Sequence, residues 1–204
     1  VNVPEPMMQH LRTDGFVITP GKYEQLFHVY DENYYDYTPN FITTDLYAQV
    51  LHMHVSKEMQ LLEEDKMFPL ISTLVTGQYS YFKELTDKAD KPLLKKAAGW
   101  NQVYYAVAAS LITGNKQTVP AEWQAAFDYE YNHSLKGEGM VSEFLGDSLM
   151  DYTQLQPRGN YTRNDTLKRY FRTIKWLNSA KVYLDDEERL ASGILLGKGL
   201  QENE

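Results

Sequence analysis

His54 and Glu58 are the pair best placed to do chemistry. Four residues apart on a helix, they share a face and could hydrogen-bond or hold a metal ion between them. A buried carboxylate beside an imidazole would also have a perturbed proton affinity, as general acid–base catalysis requires. Spacing identifies no third ligand, so no metal and no catalytic residue is assigned. The commoner role for such a pair is a satisfied polar contact inside a helical bundle. No cofactor is assigned either, because the sequence has no Gly-rich phosphate loop, no G-x-S-x-G and no H-E-x-x-H. Asp31, Asn33 and Asp36 could offer oxygens to calcium. The EF-hand pattern is absent, however, with Asp36 where Gly is needed and Ile42 where Glu is needed. Asp31–Asn40 therefore reads as an acidic, tyrosine-rich surface loop.

A second candidate site lies in the stretch Asp151–Arg163 and the helix Asn164–Asn178 behind it. Pro157-Arg158-Gly159-Asn160 has turn chemistry, since Pro fixes φ and Gly and Asn tolerate positive φ. Thr162 is the expected N-cap. Arg158 is expected to be partly buried and paired with Asp45, Asp151 or backbone carbonyls, with Tyr161 packed beneath the turn. Leu167, Tyr170, Phe171, Ile174 and Leu177 make one apolar stripe. Arg169, Arg172 and Trp176 fall on the opposite face. A cationic face carrying a Trp could bind an anion, a sugar or a partner. The plainer alternative packs Trp176 against another helix and leaves the arginines solvated. The candidate binding residues are thus Arg158, Asn160, Tyr161, Arg169, Arg172 and Trp176, together with His54 and Glu58.

The elements that position these residues are nearly all helical. Val1–Thr13, with two prolines, reads as an extended arm, and Thr19-Pro20 as a helix start. Thr43-Thr44-Asp45 opens a long helix to about Glu64, with Leu46, Tyr47, Val50, Leu51, Leu61 and Leu62 on its apolar face. Met67-Phe68-Pro69 is expected to break the chain. The next helix turns Leu70, Ile71, Leu74, Phe82 and Leu85 inward. Asp90 caps a helix from Pro92, apolar nearly all round between Trp100 and Ile112 and therefore the most buried. Gly114-Asn115 ends it. A weaker helix runs from Thr118 to about Ser134 with Trp123 and Phe127 inward, and Gly137–Pro157 is irregular. Asp185–Gly199 is a last, glycine-weakened helix with Leu190, Ile194 and Leu195 inward. The expected class is all-α: an irregular bundle of six to seven helices, mostly antiparallel neighbours, with residues 1–14 as arm and 15–204 as a single helical domain.

Composition narrows the function. A net charge of −8 and the lack of a long basic run exclude broad nucleic-acid binding. The absence of cysteine excludes disulfides and thiol chemistry. The longest apolar run, Tyr104–Ile112, is too short to span a bilayer. Sixteen tyrosines suit a wet contact surface, because each offers apolar area and a hydroxyl together. Asn132, Asn160 and Asn164 open N-glycosylation tripeptides, and Asp147-Ser148-Leu149 and Asp165-Thr166-Leu167 look like bacterial O-glycosylation tripeptides, all short enough to arise by chance.

Several segments resemble one family, the domain of unknown function 3160. They are Gly15–Gly21 with Tyr23–Phe27, Phe41–Asp45 leading to His52, Tyr105–Ala109, and Asp151–Arg163. In the same order they cover most of Gly15–Leu195. Two positions depart from the family pattern: Asn160 stands where His commonly follows Arg-Gly, and Gln49 where another His is common. Any site built on those two histidines is in doubt here. The resemblance implies an exported protein of the periplasm or cell surface, lipid-anchored upstream of Val1, and a parent chain longer than 204 residues.

Two function classes follow. One is an extracytoplasmic binding or scaffold module that meets a glycan or protein partner through tyrosines. The other is a hydrolase of an envelope or dietary polymer with carboxylates as acid and base. Glycosidase chemistry needs two carboxyls facing one cleft, and no such pair is visible in the sequence, so binding is preferred.

Overall fold

The computed structural model describes residues 3–18, 20–21, 23–25, 27–38, 40, 42–146 and 150–202. Thr19, Leu26 and Asp147–Leu149, on which expectations above depend, lie outside them. The described helices are α1 (Glu5–Asp14), α2 (Phe27–Tyr35), α3 (Thr44–Leu62), α4 (Phe68–Lys88), α5 (Pro92–Thr113), α6 (Gln124–Lys136), α7 (Asp165–Leu177) and α8 (Glu187–Glu202). The all-α class is as expected. The chain divides into two compact units, 1–51 and 52–204, with the division inside α3.

In the first unit the expected extended arm is the helix α1. Its prolines occupy the cap and the first turn, where a missing N–H has no helical partner to lose. Gly15, at φ +77°, closes it. The expected loop Asp31–Asn40 is helical through Tyr35, because nothing between Asp31 and Tyr35 breaks a helix. Thr43 caps α3 by accepting the Leu46 N–H at 3.2 Å.

α3 buries no residue along its length. Leu46, Tyr47, Val50, Leu51, Leu61 and Leu62, expected inward, are exposed, and so are Met53, Val55 and Met59.

The second unit is built on α5. Every residue from Ala97 to Ile112 is buried, as an all-round apolar run predicts. Around α5 pack α4, α6, α7 and α8. Phe144, Trp100, Tyr104 and Trp176 form a row of rings with centroid separations of 5.1, 5.4 and 5.6 Å. Its polar atoms are satisfied by backbone: Trp100 Nε1 donates to the Phe144 carbonyl and Trp176 Nε1 to that of Tyr104. Asn101 and Gln78 donate to the Ser192 and Gly199 carbonyls and pin α8.

Several local expectations are corrected. Met67-Phe68-Pro69 does not break the chain, because a π-helical turn, Glu63–Met67, joins α3 to α4. There the Phe68 N–H donates to the Glu63 carbonyl, and Pro69 follows in the first turn of α4, where a proline is tolerated. Lys91, not Asp90, precedes α5 as cap. Leu70, Leu74 and Ile194 are exposed, while Val75, Tyr79 and Phe82 carry the α4 contact. The glycines of α8 permit close packing: a Cβ on Gly199 would lie 2.8 Å from Gln78 Oε1 and 3.0 Å from the Phe82 ring.

Candidate functional site

The end of α2 gathers tyrosines that the protein leaves in water. The Thr38 N–H reaches back to the Asn33 carbonyl at 2.8 Å. This closure of a helix end requires a left-handed residue ahead of Thr38, a position that favours glycine. Tyr37 occupies it, at φ +52°. Asn33 Nδ2 donates to Asn40 Oδ1 at 2.8 Å, and Tyr30 Oη shares a hydrogen with Thr43 Oγ1 at 2.8 Å, so the segment after α2 is tied at both ends. A hollow of about 340 Å³ lies between Asn33, Tyr34, Tyr35, Tyr37, Thr38 and Asn40. Tyr34, Tyr35 and Tyr37 are 75, 71 and 96 % exposed. The Tyr34 and Tyr35 rings meet edge to face at 5.6 Å. Among the described residues, no three metal-ligating side chains converge.

The sequence candidates around Arg158 are not brought together as one site. Arg158 is exposed, and among the described residues its guanidinium meets only the Gln154 side-chain oxygen, at 3.4 Å. The expected partner Asp151 instead caps a 3₁₀ turn, accepting from the Thr153 N–H and from Gln154. Asn160 is exposed in a second 3₁₀ turn, Gly159–Thr162, and Gly159 uses the positive φ its position suggested. Asn164, not Thr162, caps α7, accepting the Leu167 N–H at 2.9 Å. An extended backbone at Asn164 places its short side chain over the helix end, whereas Thr162 turns back to Gly159.

Tyr161, Arg163 and Asn164 instead dock this turn on the π turn. Tyr161 Oη donates to Glu63 at 2.8 Å, Arg163 to Gln60 Oε1 at 2.8 Å, and Asn164 Nδ2 to Glu64 at 2.5 Å. Burial and then the Glu63 bond push the Tyr161 hydroxyl up to about 12. Bonds from Gln60 and Asn164 hold Glu64 below the usual carboxylate range.

Arg169, Arg172 and Trp176 do not form one open face. Trp176 is fully buried in the ring row. Arg169 closes the end of α5, donating to the Thr113 carbonyl at 3.2 Å. Arg172 is half-buried; burial lowers its affinity for a proton, and Asp165 works against that shift. The single-stripe reading failed because α7 has neighbours on more than one side: α5, α6, the π turn and the 3₁₀ turns. His54 and Glu58 are both exposed, and no hydrogen bond joins them among the described residues. The expected buried pair is therefore absent, because α3 buries nothing.

Sequence reasoning missed Glu130, which is fully buried on α6. Its Oε2 accepts from Tyr152 Oη at 2.5 Å and its Oε1 from Ser142 Oγ at 2.7 Å, while Ser142 Oγ accepts the Leu145 N–H. Burial raises the Glu130 pKa above the usual carboxylate range, against the opposing pull of the two hydroxyls. The same burial and the nearby carboxylate push the Tyr152 hydroxyl up. A signal was present: Glu130 lies three residues after Phe127 and four before Ser134, on the inward stripe of α6. Glu130 and Glu143 border one hollow of about 380 Å³, yet both Glu130 oxygens are already engaged by protein hydroxyls.

The fold and these sites define an all-α protein with a buried carboxylate on α6 and an open tyrosine hollow at the end of α2. The chain belongs to the family described as "Protein of unknown function (DUF3160)", whose match runs over residues 5–201. No curated protein and no solved structure matches it.

Proposed function

We propose that this chain is an extracytoplasmic binding module that meets a glycan through the tyrosine hollow at the end of α2. One observation carries the reading: Tyr34, Tyr35 and Tyr37 stand in water around a hollow whose remaining walls are Asn33, Thr38 and Asn40. Exposed tyrosines clustered on a concave surface offer apolar faces and hydroxyls to a ligand at little conformational cost. The extracytoplasmic placement follows from the family resemblance. No helix among the described residues is long and apolar enough to cross a membrane.

Hydrolysis is the less supported reading. Glu130 is covered, and its carboxylate already takes two hydroxyl donors, so it cannot approach a glycosidic bond. The binding reading is tested by probing a glycan array with the wild-type chain and with Tyr34→Ala/Tyr35→Ala. Retention of glycans by wild type and their loss by the variant, with unchanged helicity, is expected. Equal retention by both proteins would remove the hollow from the account.

A further inference from the structure

We infer that the ligand of this hollow is an uncharged saccharide and that Tyr37 is the ring on which it stacks. The inference rests on the binding reading above and narrows it.

The lining is neutral throughout: three tyrosines, two asparagines and a threonine. Its polar groups both donate and accept, as sugar hydroxyls do. Asn33 Nδ2 is held by Asn40, while Asn33 Oδ1, Thr38 Oγ1 and the hydroxyls of Tyr34, Tyr35 and Tyr37 take no partner among the described residues. Among the described residues no lysine or arginine lines the hollow, and Asp31 and Asp36 lie in the same segment of a chain of net charge −8. A uronate or sulfated sugar would find no cation here and would be repelled by the flanking carboxylates. A protein partner would be expected to want a drier, more apolar centre than amides and a hydroxyl supply.

Tyr37 gives the second line of argument. Its left-handed backbone is unfavourable for a bulky side chain. The ring is 96 % exposed, so packing within the chain returns nothing for that strain. Residues held in such conformations cluster at ligand clamps. Glycine would satisfy the helix end better, so the tyrosine is explained by what its ring meets outside the chain. A pyranose presents an apolar C–H face to an aromatic ring while its rim hydroxyls reach amide groups, and the hollow supplies both.

The test is calorimetric titration of the full 204-residue chain and its Tyr37→Gly variant. The probes are cellohexaose and mannohexaose as neutral sugars, oligogalacturonate as the acidic one, and a mixed tryptic peptide pool as the protein-like control. Binding of a neutral hexasaccharide, insensitive to added salt and weakened roughly tenfold or more in Tyr37→Gly, is expected. Circular dichroism of that variant should show undiminished helicity. Binding of oligogalacturonate alone, lost in Tyr37→Gly, would overturn the neutral class and leave the glycan-binding reading standing. Neutral binding unaffected by Tyr37→Gly would overturn the role of that ring. Peptide binding without sugar binding, or no binding of any probe, would overturn this inference and the glycan reading together.

Discussion

Glu130 is the buried charge on which the second unit can be tested most sharply. Replacing it with Ala leaves Tyr152 Oη without its acceptor and Ser142 Oγ without one of its two partners, both on residues buried to 1 % exposure or less. Each stranded hydroxyl costs about 1–3 kcal/mol, and the space vacated adds a cavity term. Together they predict a loss of about 3–5 kcal/mol. Glu130→Gln keeps an oxygen for Tyr152 and turns an amide toward Ser142, so it should lie within about 1 kcal/mol of wild type at neutral pH. Its advantage should grow with pH. The unfolded glutamate titrates near 4.3, and the folded one is raised by burial. Between the two values the folded state therefore holds more protons than the unfolded state, and stability falls as pH rises. Below the unfolded value the carboxyl is neutral in both states and this penalty vanishes. The Gln variant has no such dependence, so it should gain on wild type from pH 4 to 7. Urea unfolding followed by tryptophan fluorescence reads this unit alone, since Trp100, Trp123 and Trp176 all lie within it. An Ala variant as stable as wild type, or parallel pH curves for Gln and wild type, would refute the reasoning.

Three further outcomes follow from the packing. Val103→Asp places an unpaired charge at a fully buried position of α5 and should abolish cooperative thermal unfolding, a loss of more than about 4 kcal/mol. Gly199→Leu should cost about 1–3 kcal/mol by forcing Gln78 and Phe82 away, with amide exchange in α8 rising before that in α5. Arg158→Ala should change stability by no more than about 0.5 kcal/mol, because the side chain is exposed with one long contact; a larger loss would restore the buried, paired Arg158 that the sequence suggests.

What could be read from sequence depended on how many neighbours an element has. α5 was legible because a helix buried on all sides needs no choice of face, and Gly114 marked its end. α7 was legible as a helix but not in its faces, since Trp176 and Leu167 are both buried on different sides of it. α3 misled in the other direction, as its apolar face suggested a core that the helix does not enter. Proline position decided two further errors. Pro4 and Pro6 start α1 rather than prevent it, and Pro69 lies in the first turn of α4 just after a π turn. Glu130 went unseen because a glutamate is assigned to the surface by default, although its spacing along α6 placed it inward. The tyrosines of Asp31–Asn40 stand out in the sequence, but the left-handed Tyr37 does not, because no glycine marks that helix end.

The central claim is that Asn33–Asn40 forms the ligand-contact surface. Backbone amide chemical shifts of the isotopically labelled chain, followed during titration with a neutral hexasaccharide, test it most directly. Shifts concentrated on the described amides of Asn33–Thr38 and Asn40, saturating with ligand, are the predicted result. Saturating shifts confined to residues 52–204, or none anywhere in the chain, would contradict it.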